Sequence, residues 1–368
     1  MRMIADPWFR EKKILVIDQS QKNTNDRTWC FWETEPDLFE PIVHHHWDKL
    51  NFFSAAYKDT LTIQPYQYKM IRGIDFYAYV SKTSANHTNI EWLFEKVQSI
   101  ENTNECVMVH TGNAVYSGSY VFNSLHFTED HLPVRSEKKG HHYLLQHFAG
   151  WVIETETDCF DPGTATFMDF RVSQEAGTTF AYVLPVSARS ALVEYTLFSE
   201  SLLPEEAYDN ALKAYIPDFL GVGKYTIQHR EFGVIPMTNQ PFHLQNGRII
   251  QMGIAGGQAK GSSGYAFRFI QKQTTSIVAA LRSGKSPQMV RSCTERKFQL
   301  YDGVLLQVLG SGKMPGADIF TRIFQKNPPE RVLRFLDNES TVWEDLQIMR
   351  SVPTRIFLPA ALRQLLAW

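Results

Sequence analysis

Two short segments of the sequence combine residue types that nucleotide-binding sites use. The first is a run of four apolar residues, Ile14 to Ile17, that ends in Asp18. In dinucleotide-binding folds, a carboxylate at a strand end binds a ribose hydroxyl of the adenine dinucleotide. The glycine-rich turn for the pyrophosphate belongs about 20 residues upstream of that acid, yet the first glycine here is Gly73. Two interpretations stay open: an ordinary strand that ends in a solvated turn, or a nucleotide-binding unit whose phosphate loop precedes this sequence.

The second segment places five glycines between a strand pattern and a helix pattern. Residues 248–252 are typical of a strand, and the twelve positions after them contain Gly253, Gly256, Gly257, Gly261 and Gly264. Glycine lets the backbone approach a ligand closely, and the N-terminus of a following helix favours an anion. A tight turn that needs positive φ angles would explain one or two of these glycines rather than five. The segment therefore predicts a ligand-binding loop.

Composition limits the class of protein. The chain has 368 residues, of which 43% are hydrophobic, and a net charge of −2, which argues against a nucleic-acid partner. No apolar stretch approaches the length of a membrane-spanning helix, and the N-terminus lacks the apolar segment of a signal peptide. Four cysteines lie far apart without a C-x-x-C spacing, which favours free thiols in a reducing cytoplasm.

The hydrophobic pattern predicts a mixture of strands and helices. Residues 50–72 alternate as strands do, whereas residues 89–101 carry apolar side chains at helical spacing. Residues 106–124 predict two strands around a turn at Gly112 and Asn113. Residues 143–235 predict an antiparallel sheet with one covered face. The tail from residue 291 has a helical pattern that Pro328 and Pro329 interrupt.

Eight blocks of sequence then carry a resemblance that extends from residue 14 to about residue 360. They are Asn25 to Trp32, Arg72 to Tyr77, Val121 to Ser124, Gln146 to Trp151, Met168 to Arg171, Ala191 to Thr196, Gly233 to Met237, and Gly253 to Phe267. In this order they resemble the flavin-dependent lycopene cyclases of carotenoid synthesis. In that family a strand and turn with the G-x-G-x-x-G pattern come before the segment that matches Ile14, which agrees with the second interpretation of Asp18.

The resemblance implies an α/β (α+β) fold. An FAD-binding Rossmann-like domain built from separated segments would carry an inserted antiparallel-sheet substrate domain and a helical C-terminal tail. The expected FAD-binding segments are 1–50, 105–140 and 236–290. The expected substrate-binding sheet region is 51–104 and 141–235, followed by the helical region 291–368.

The resemblance also implies the cofactors. FAD would act in its reduced form, with NAD(P)H as the reductant. The residues expected to bind FAD are Asp18, Arg27, Gly253, Gly256, Gly257, Gly264 and Tyr265. For Arg27, an ion pair with Asp26 that only shapes the loop is the alternative.

Two acids are the candidate catalytic residues. Glu194 stands alone in an apolar strand, where an outward-facing charge is the simpler interpretation, but the resemblance aligns it with the active-site acid of the family. Protonating an alkene requires a carboxyl group kept neutral by apolar surroundings. Asp169 is the second candidate catalytic acid. A structural ion pair between neighbouring strands is an equally good interpretation of this residue. Glu231 is interpreted either as a residue that faces the flavin or as a plain strand end.

The cation formed from the alkene needs electron-rich neighbours that do not trap it, such as aromatic faces. Trp151, Tyr195 and Phe198 are the candidates. Three consecutive histidines, His44 to His46, cannot all reach one ion from an extended strand, so we expect no metal site. We find no arrangement of side chains typical of a hydrolase.

The predicted function is therefore that of a lycopene β-cyclase, an intramolecular lyase or isomerase that forms β-ionone rings without net redox change. The alternatives are a flavin-dependent oxidoreductase or monooxygenase acting on an isoprenoid or aromatic substrate, and an inactive, N-terminally truncated homologue. The expected partners are lycopene or a related linear carotenoid, a membrane surface and other carotenoid enzymes. The apolar tail Pro353 to Trp368, with its arginines, is interpreted as an interfacial contact or as a helix docked on the core.

Overall fold

The computed structural model describes residues 1–126, 133–287 and 291–367. The first 126 residues form mostly short strands. The helical elements are α1 (Arg2–Ala5), α2 (Gly73–Ser84) and two 3₁₀ turns (Pro7–Phe9 and Glu40–Ile42). The strands are β1 (Ile14–Asp18), β2 (Thr28–Glu33), β3 (His45–Trp47), β4 (Lys49–Phe53), β5 (Lys58–Thr62), β6 (Gln67–Arg72), β7 (Ile90–Phe94), β8 (Val97–Asn102), β9 (Val107–Thr111), β10 (Val115–Gly118) and β11 (Val121–Asn123).

The middle of the chain contains the longest strands and one helix. They are β12 (Tyr143–Thr155), β13 (Thr164–Asp169), β14 (Thr178–Pro185), β15 (Ser190–Ser199), α3 (Glu205–Leu220), β16 (Tyr225–Thr238), β17 (Gln245–Asn246) and β18 (Ile249–Gln251).

The last part of the chain is helical, as the sequence pattern predicts. The helices are α4 (Phe267–Arg282), α5 (Cys293–Gly310), α6 (Gly316–Lys326), α7 (Pro329–Leu336), α8 (Val342–Ser351) and α9 (Thr354–Ala367). Pro329 begins α7, where a proline without an N–H group is tolerated. Within the described ranges, each helix is too short or too polar to cross a membrane.

Seven strands form the large sheet, in the order β16-β12-β15-β14-β13-β4-β5. The strands from β16 to β13 pair antiparallel, whereas β13 and β4 pair in parallel. Two smaller units contain parallel pairs: β1 with β7, and β11 with β18. These parallel pairs are typical of a nucleotide-binding fold, in which ligands bind beyond the carboxyl ends of the strands.

Both faces of the large sheet are covered, so the prediction of one covered face was wrong. Every residue of β14 is buried. One face packs against α3 through Tyr208, Leu212 and Ile216. The other face packs against side chains of β2, β6 and α6. A sheet buried on both faces shows continuous apolar runs, which hide the alternation that a single covered face would produce.

The helix predicted over residues 89–101 was also wrong. This segment forms β7 and β8, because β7 pairs with the distant strand β1 and β8 forms a hairpin with β9, which follows it. Ile90 pairs with Ile14 of β1, and Ile100 pairs with Val109 of β9. Tertiary pairing overrides the helical spacing of a short apolar pattern. The predicted hairpin over residues 106–124 is present as β9 and β10, followed by β11.

Candidate active site

Two glutamates flank a glycine on adjacent strands of the large sheet. Gly150 of β12 pairs with Glu194 of β15 on one side and with Glu231 of β16 on the other. A methyl group at Gly150 would lie 2.9 Å from Cγ of Glu194 and 3.1 Å from Cγ of Glu231. The glutamates therefore lean toward each other over a position that only glycine leaves open. The two carboxyl groups are neighbours because of the register in which β15, β12 and β16 pair.

The environment of Glu194 favours its protonated form. The side chain keeps part of its surface accessible, yet it lies deep enough that burial raises its pKa well above the ordinary range. The neighbouring carboxyl group of Glu231 raises this pKa further, because two adjacent carboxylates cannot both ionise cheaply. Of the two groups, Glu194 is therefore the one whose surroundings favour the neutral carboxyl form.

Glu231 is buried and has one oxygen fixed by the neighbouring β2 strand. The hydroxyl of Thr28 donates a hydrogen bond of 2.8 Å to Oε2 of Glu231. Its other oxygen, Oε1, is buried, and a hydrogen bond between the two carboxyl groups contributes to the raised pKa of Glu194. Two carboxyl groups that share a hydrogen bond also share a proton. The pair is therefore the candidate reactive centre.

Three tyrosines and a cysteine lie on the same side of the sheet as this pair. Tyr182 is paired directly with Glu194, and its hydroxyl lies 3.4 Å from that of Tyr265. The Tyr265 hydroxyl lies 3.1 Å from that of Tyr68. Burial, followed by the nearby Glu194, raises the pKa of the Cys30 thiol. Trp32 packs edge-on to Tyr265, with ring centroids 4.6 Å apart, so aromatic rings form a wall on this side of the sheet.

The glycine-rich loop connects this wall to α4. Gly264, at φ +71°, packs so closely on β12 that an added methyl group would lie 2.1 Å from Oε1 of Gln146. Similar contacts at Gly256 and Gly257 involve the Gln251 carbonyl and the Phe242 ring.

Internal packing therefore accounts for three of the four glycines predicted to bind a cofactor. Gly253 is different, because at φ +59° its only close neighbour among the described residues would be Ser124 at 4.0 Å. Some buried polar groups in and around the loop have no hydrogen-bond partner in the described ranges: Trp29 Nε1, Gln146 Oε1, Ser262 Oγ and Ser263 Oγ.

Asp18 lies at the carboxyl end of β1, as the sequence pattern predicts. Its carboxylate accepts a hydrogen bond of 3.2 Å from the N–H of Ser20 and lies 3.5 Å from the ammonium of Lys22. Arg27 is close enough for the charge of Asp18 to contribute to the raised pKa of its guanidinium. Arg27 also pairs with Asp26 at 2.9 Å. In the described residues, no hydrogen bond or ion pair joins this group to the glycine-rich loop.

Asp169 lies on the opposite face of the large sheet from Glu194. The guanidinium of Arg171 donates two hydrogen bonds to its carboxylate, and the Tyr215 hydroxyl of α3 donates a third at 2.7 Å. The structure therefore does not bring the two predicted catalytic acids together. The contacts of Asp169 are those of a buried ion pair that joins β13 to α3.

The predicted aromatic neighbours of Glu194 are also divided between the two faces. Trp151 and Tyr195 belong to the cluster that packs against α3, on the far side of the sheet. Phe198 lies on the same face as Glu194 but packs against Phe180 and Phe320. Along a strand, neighbouring side chains point to opposite faces, so Tyr195 could not share the face of Glu194.

The comparisons with known proteins identify the family. The sequence model described as "Lycopene cyclase protein" matches residues 10–362 of the chain. The chain belongs to the lycopene cyclase family. The resemblance seen in the eight sequence blocks is thereby confirmed. No curated protein sequence matches the chain significantly.

Solved structures show that this cyclase-family chain has the fold of flavoproteins. A flavoprotein/dehydrogenase from Cytophaga hutchinsonii is 9% identical, with a TM-score of 0.65 and coverage of 99% of this chain and 95% of that one. A geranylgeranyl bacteriochlorophyll reductase-like protein from Thermoplasma acidophilum is 10% identical, with a TM-score of 0.62 and coverage of 100% and 95%. HpxO from Klebsiella pneumoniae, solved with FAD and uric acid, is 12% identical, with a TM-score of 0.60 and coverage of 89% and 96%.

These similarities confirm the predicted α/β fold with Rossmann-type and sheet parts. The sequence analysis did not predict that Glu194 and Glu231 lie side by side, one on each side of Gly150. Glu231 was noticed only as a residue that faces the flavin or ends a strand. The signal was Gly150, a glycine inside a strand pattern, which indicates a close approach of neighbouring groups.

Proposed function

We propose that the chain is a lycopene β-cyclase that converts the linear ends of lycopene into β-ionone rings, giving γ- and β-carotene without net redox change. The observation that carries this proposal is the pair of carboxyl groups beside Gly150. There Glu194, whose pKa is raised, lies beside Glu231 and is paired with Tyr182 of the aromatic wall.

The reaction begins when Glu194 donates its proton to the terminal alkene of the substrate. The alkene electron pair forms the new C–H bond and leaves a tertiary cation. The neighbouring double bond attacks this cation and closes the ring. Loss of one ring proton then forms the ring double bond, so the product is an isomer of the substrate. Because an isolated alkene is a weak base, the acid has to be neutral and desolvated before the substrate arrives.

Glu231 has two tasks in this proposal. Its charge keeps the proton on Glu194, and it lies near enough to receive a proton from the ring-closed cation. The hydrogen bond from Thr28 holds one of its oxygens in place. Two carboxyl groups that share a site titrate as a pair, so one can hold a proton while the other accepts one.

Aromatic faces stabilise the cation in this proposal. Tyr182, Tyr265 and Tyr68 are the candidates, with Trp32 behind them. An aromatic ring attracts a cation within about 6 Å of its centroid without forming a bond to it. These residues replace Trp151 and Tyr195, which lie on the other face of the sheet.

The residues around the glycine-rich loop fit a bound group with many polar atoms. Ser262 and Ser263 each bury a hydroxyl group that has no hydrogen-bond partner in the described part of the chain. Arg268 adds a positive charge near them, although its guanidinium also pairs with Glu33 and Asp337. The N-cap of α4, Ala266, has no side chain to satisfy the first N–H groups of the helix. This is the positive end of a helix and suits an electronegative ligand.

We propose that this group is FAD, reduced by NAD(P)H. Its adenine half would contact the exposed end of β1, and its flavin the glycine-rich loop. The residues proposed to hold it are Asp18, Arg27, Gly253, Gly256, Gly257, Gly264 and Tyr265. Reduced FAD, when bound, would supply negative charge beside the developing cation. Asp169 has a structural role here, because Arg171 and Tyr215 occupy its carboxylate.

We further propose that the protein works at the cytoplasmic surface of a membrane, where it would meet other enzymes of carotenoid synthesis. A linear carotenoid is an apolar hydrocarbon and partitions into lipid. The helix α9 supports this location, because it exposes several leucine side chains. Exposed apolar faces of this kind mark sites of protein or membrane contact.

The experiment is chromatography of the pigments from lycopene-accumulating cells that express the chain. The proposal expects γ- or β-carotene, and the Glu194→Gln variant should leave lycopene unchanged. A flavin oxidoreductase would instead give products with altered oxygen or hydrogen content. In the purified system it would consume one nicotinamide per product, whereas a cyclase needs only enough to keep the flavin reduced.

A further inference from the structure

The outer face of α9 carries a stripe of exposed leucines. Leu358, Leu362, Leu365 and Leu366 have exposed fractions of 53%, 53%, 56% and 89%. With 3.6 residues per turn, positions that lie four, seven and eight residues apart share one side of a helix. The stripe is therefore continuous along the last three turns of α9, and within the described residues nothing covers it.

A row of cations lies next to this stripe. Arg355 and Arg363, eight residues apart, line a cavity of about 190 Å³ together with Lys313, which follows α5. Ser311 and Gln307 of α5 add polar groups to the same wall. A single water needs only about 10–15 Å³, so the cavity has room for a phosphate group.

These three cations have no anionic partner in the described part of the chain. None of them takes part in an ion pair or a side-chain hydrogen bond there. All three are exposed, and their common feature is that they line one cavity beside the leucine stripe. The carbonyl end of α5 attracts a nearby cation by its dipole. That effect falls off within one turn and is too small to explain why three cations surround one cavity.

The inner face of α9 is fixed, so the stripe and the cation row are held outward. Gln364 is buried and bonds to Asn239 at 3.1 Å, to His142 at 2.6 Å and to Gln307 at 3.3 Å. Ala360 and Ile356 pack with α5 and α6. On the helix, Arg363 lies between this anchored side and the leucine stripe, whereas Arg355 lies in line with the stripe, about one turn before Leu358. The arginine stems can extend past the apolar side chains, so that the leucines enter the lipid while the guanidinium groups stay at the level of the headgroups.

We propose that α9 lies on a bilayer with its leucine stripe among the acyl chains, and that the cavity of Lys313, Arg355 and Arg363 binds the phosphate of an anionic phospholipid. The proposal refines the membrane location proposed above and commits to a lipid in a bilayer, because the stripe and the cavity lie side by side. A free phosphate would use the cavity but would have no use for the leucines. A carotenoid dissolved in that bilayer would then lie against the same protein surface.

The test is sedimentation of the full chain with vesicles of phosphatidylcholine alone or of phosphatidylcholine with about 30% phosphatidylglycerol. At an anionic membrane surface, each basic residue contributes about 1 kcal/mol to the free energy of binding. We expect binding to the anionic vesicles that weakens as salt is raised. The Lys313→Gln, Arg355→Gln, Arg363→Gln triple variant should lose roughly a hundredfold in partition to these vesicles. The matched control is the triple variant Lys82→Gln, Lys96→Gln, Lys224→Gln, which removes the same charge from exposed positions on other elements. Because salt screens exposed charges, its partition to the vesicles should fall by less than about threefold.

A second variant tests the stripe separately. Leu358→Ser, Leu362→Ser, Leu365→Ser should abolish binding to both kinds of vesicle while the melting temperature stays within a few degrees of the parent. Equal loss in the cationic variant and its control would overturn the phosphate site. Undiminished binding of the anionic vesicles by the leucine variant, or a dimer that disappears when the leucines are replaced, would overturn the lipid assignment. None of these readouts depends on the reaction, so they stand apart from the outcome of the cyclase test.

Discussion

A carboxyl group can protonate an alkene only if it holds its proton when the substrate binds. At Glu194, burial and the adjacent Glu231 both act in that direction and raise its pKa. A glutamine has the same shape but carries no acidic proton. We therefore expect Glu194→Gln to lower the rate of ring formation by about 10²–10⁴-fold, measured as product per folded protein. Glu105→Gln, an exposed glutamate of a loop, is the control and should retain full activity.

Replacing Glu231 should change the pH dependence of ring formation, because Glu194 is still present as the acid. In Glu231→Gln the negative charge beside Glu194 is gone, so the pKa of Glu194 moves down toward its ordinary value. Activity needs protonated Glu194 and falls as the pH rises through this pKa. The fall in kcat/KM should therefore occur at lower pH in the variant. An unchanged or upward-shifted profile would contradict the coupling of the two carboxyl groups.

The raised pKa of Glu194 also predicts how stability depends on pH. Between its unfolded pKa, near 4.5, and its higher folded pKa, the folded state holds a proton that the unfolded state has released. The free energy of unfolding then falls as the pH rises across this window, by about 1.4 kcal/mol per unit for one group. Glu194→Gln lacks this contribution. Urea unfolding at pH 5 and pH 8 should show the variant gaining stability relative to the parent at the higher pH.

At the scale of elements, Gly150 is what allows two strands to present their acids together. An alanine there would meet Cγ of Glu194 at 2.9 Å and Cγ of Glu231 at 3.1 Å. We expect Gly150→Ala to cost about 1–3 kcal/mol of stability. It should also lower activity by roughly 10²-fold, since small displacements of reacting groups have effects of that order. The control is Gly223→Ala, which has no atom within 4 Å of the added methyl group. Equal effects of the two variants would contradict the role of Gly150.

The ion pair of Asp169 ties the large sheet to α3 and should matter for stability alone. Asp169→Asn weakens the bonds to Arg171 and to the Tyr215 hydroxyl on α3. Because Arg171 is about one-third exposed, we expect a loss of roughly 1–3 kcal/mol, less than a fully buried pair would give. Urea unfolding measures this loss. Activity per folded molecule should be unchanged, and a selective loss of activity would restore Asp169 as a catalytic candidate.

These elements also show what the sequence could predict and why the rest stayed hidden. The strand that ends at Asp18 and the glycine-rich turn are each formed by residues that are adjacent in the sequence. Both could therefore be predicted without the structure. Glu194 and Glu231 lie on strands that β12 separates, so only the register of the large sheet makes them neighbours. The helix predicted over residues 89–101 failed for a related reason, because β1 and β9 supply partners that the local pattern does not contain.

At the scale of the whole molecule, the candidate site combines side chains of the large sheet with side chains of the elements packed against it. The large sheet contributes both glutamates, whereas β2, β6 and the loop before α4 contribute Thr28, Tyr68 and Tyr265. Side chains that are far apart in the sequence therefore meet around the two glutamates.

The central claim is that a proton from Glu194 is added to the substrate and that nothing is oxidised. The most direct measurement is the mass of the carotenoid formed by the purified protein from lycopene in D₂O, with reduced FAD supplied. We expect a product that gains one deuterium for each ring formed and that, in ordinary water, has the mass of lycopene. A product with added oxygen or missing hydrogens, or rings formed without deuterium, would contradict the account.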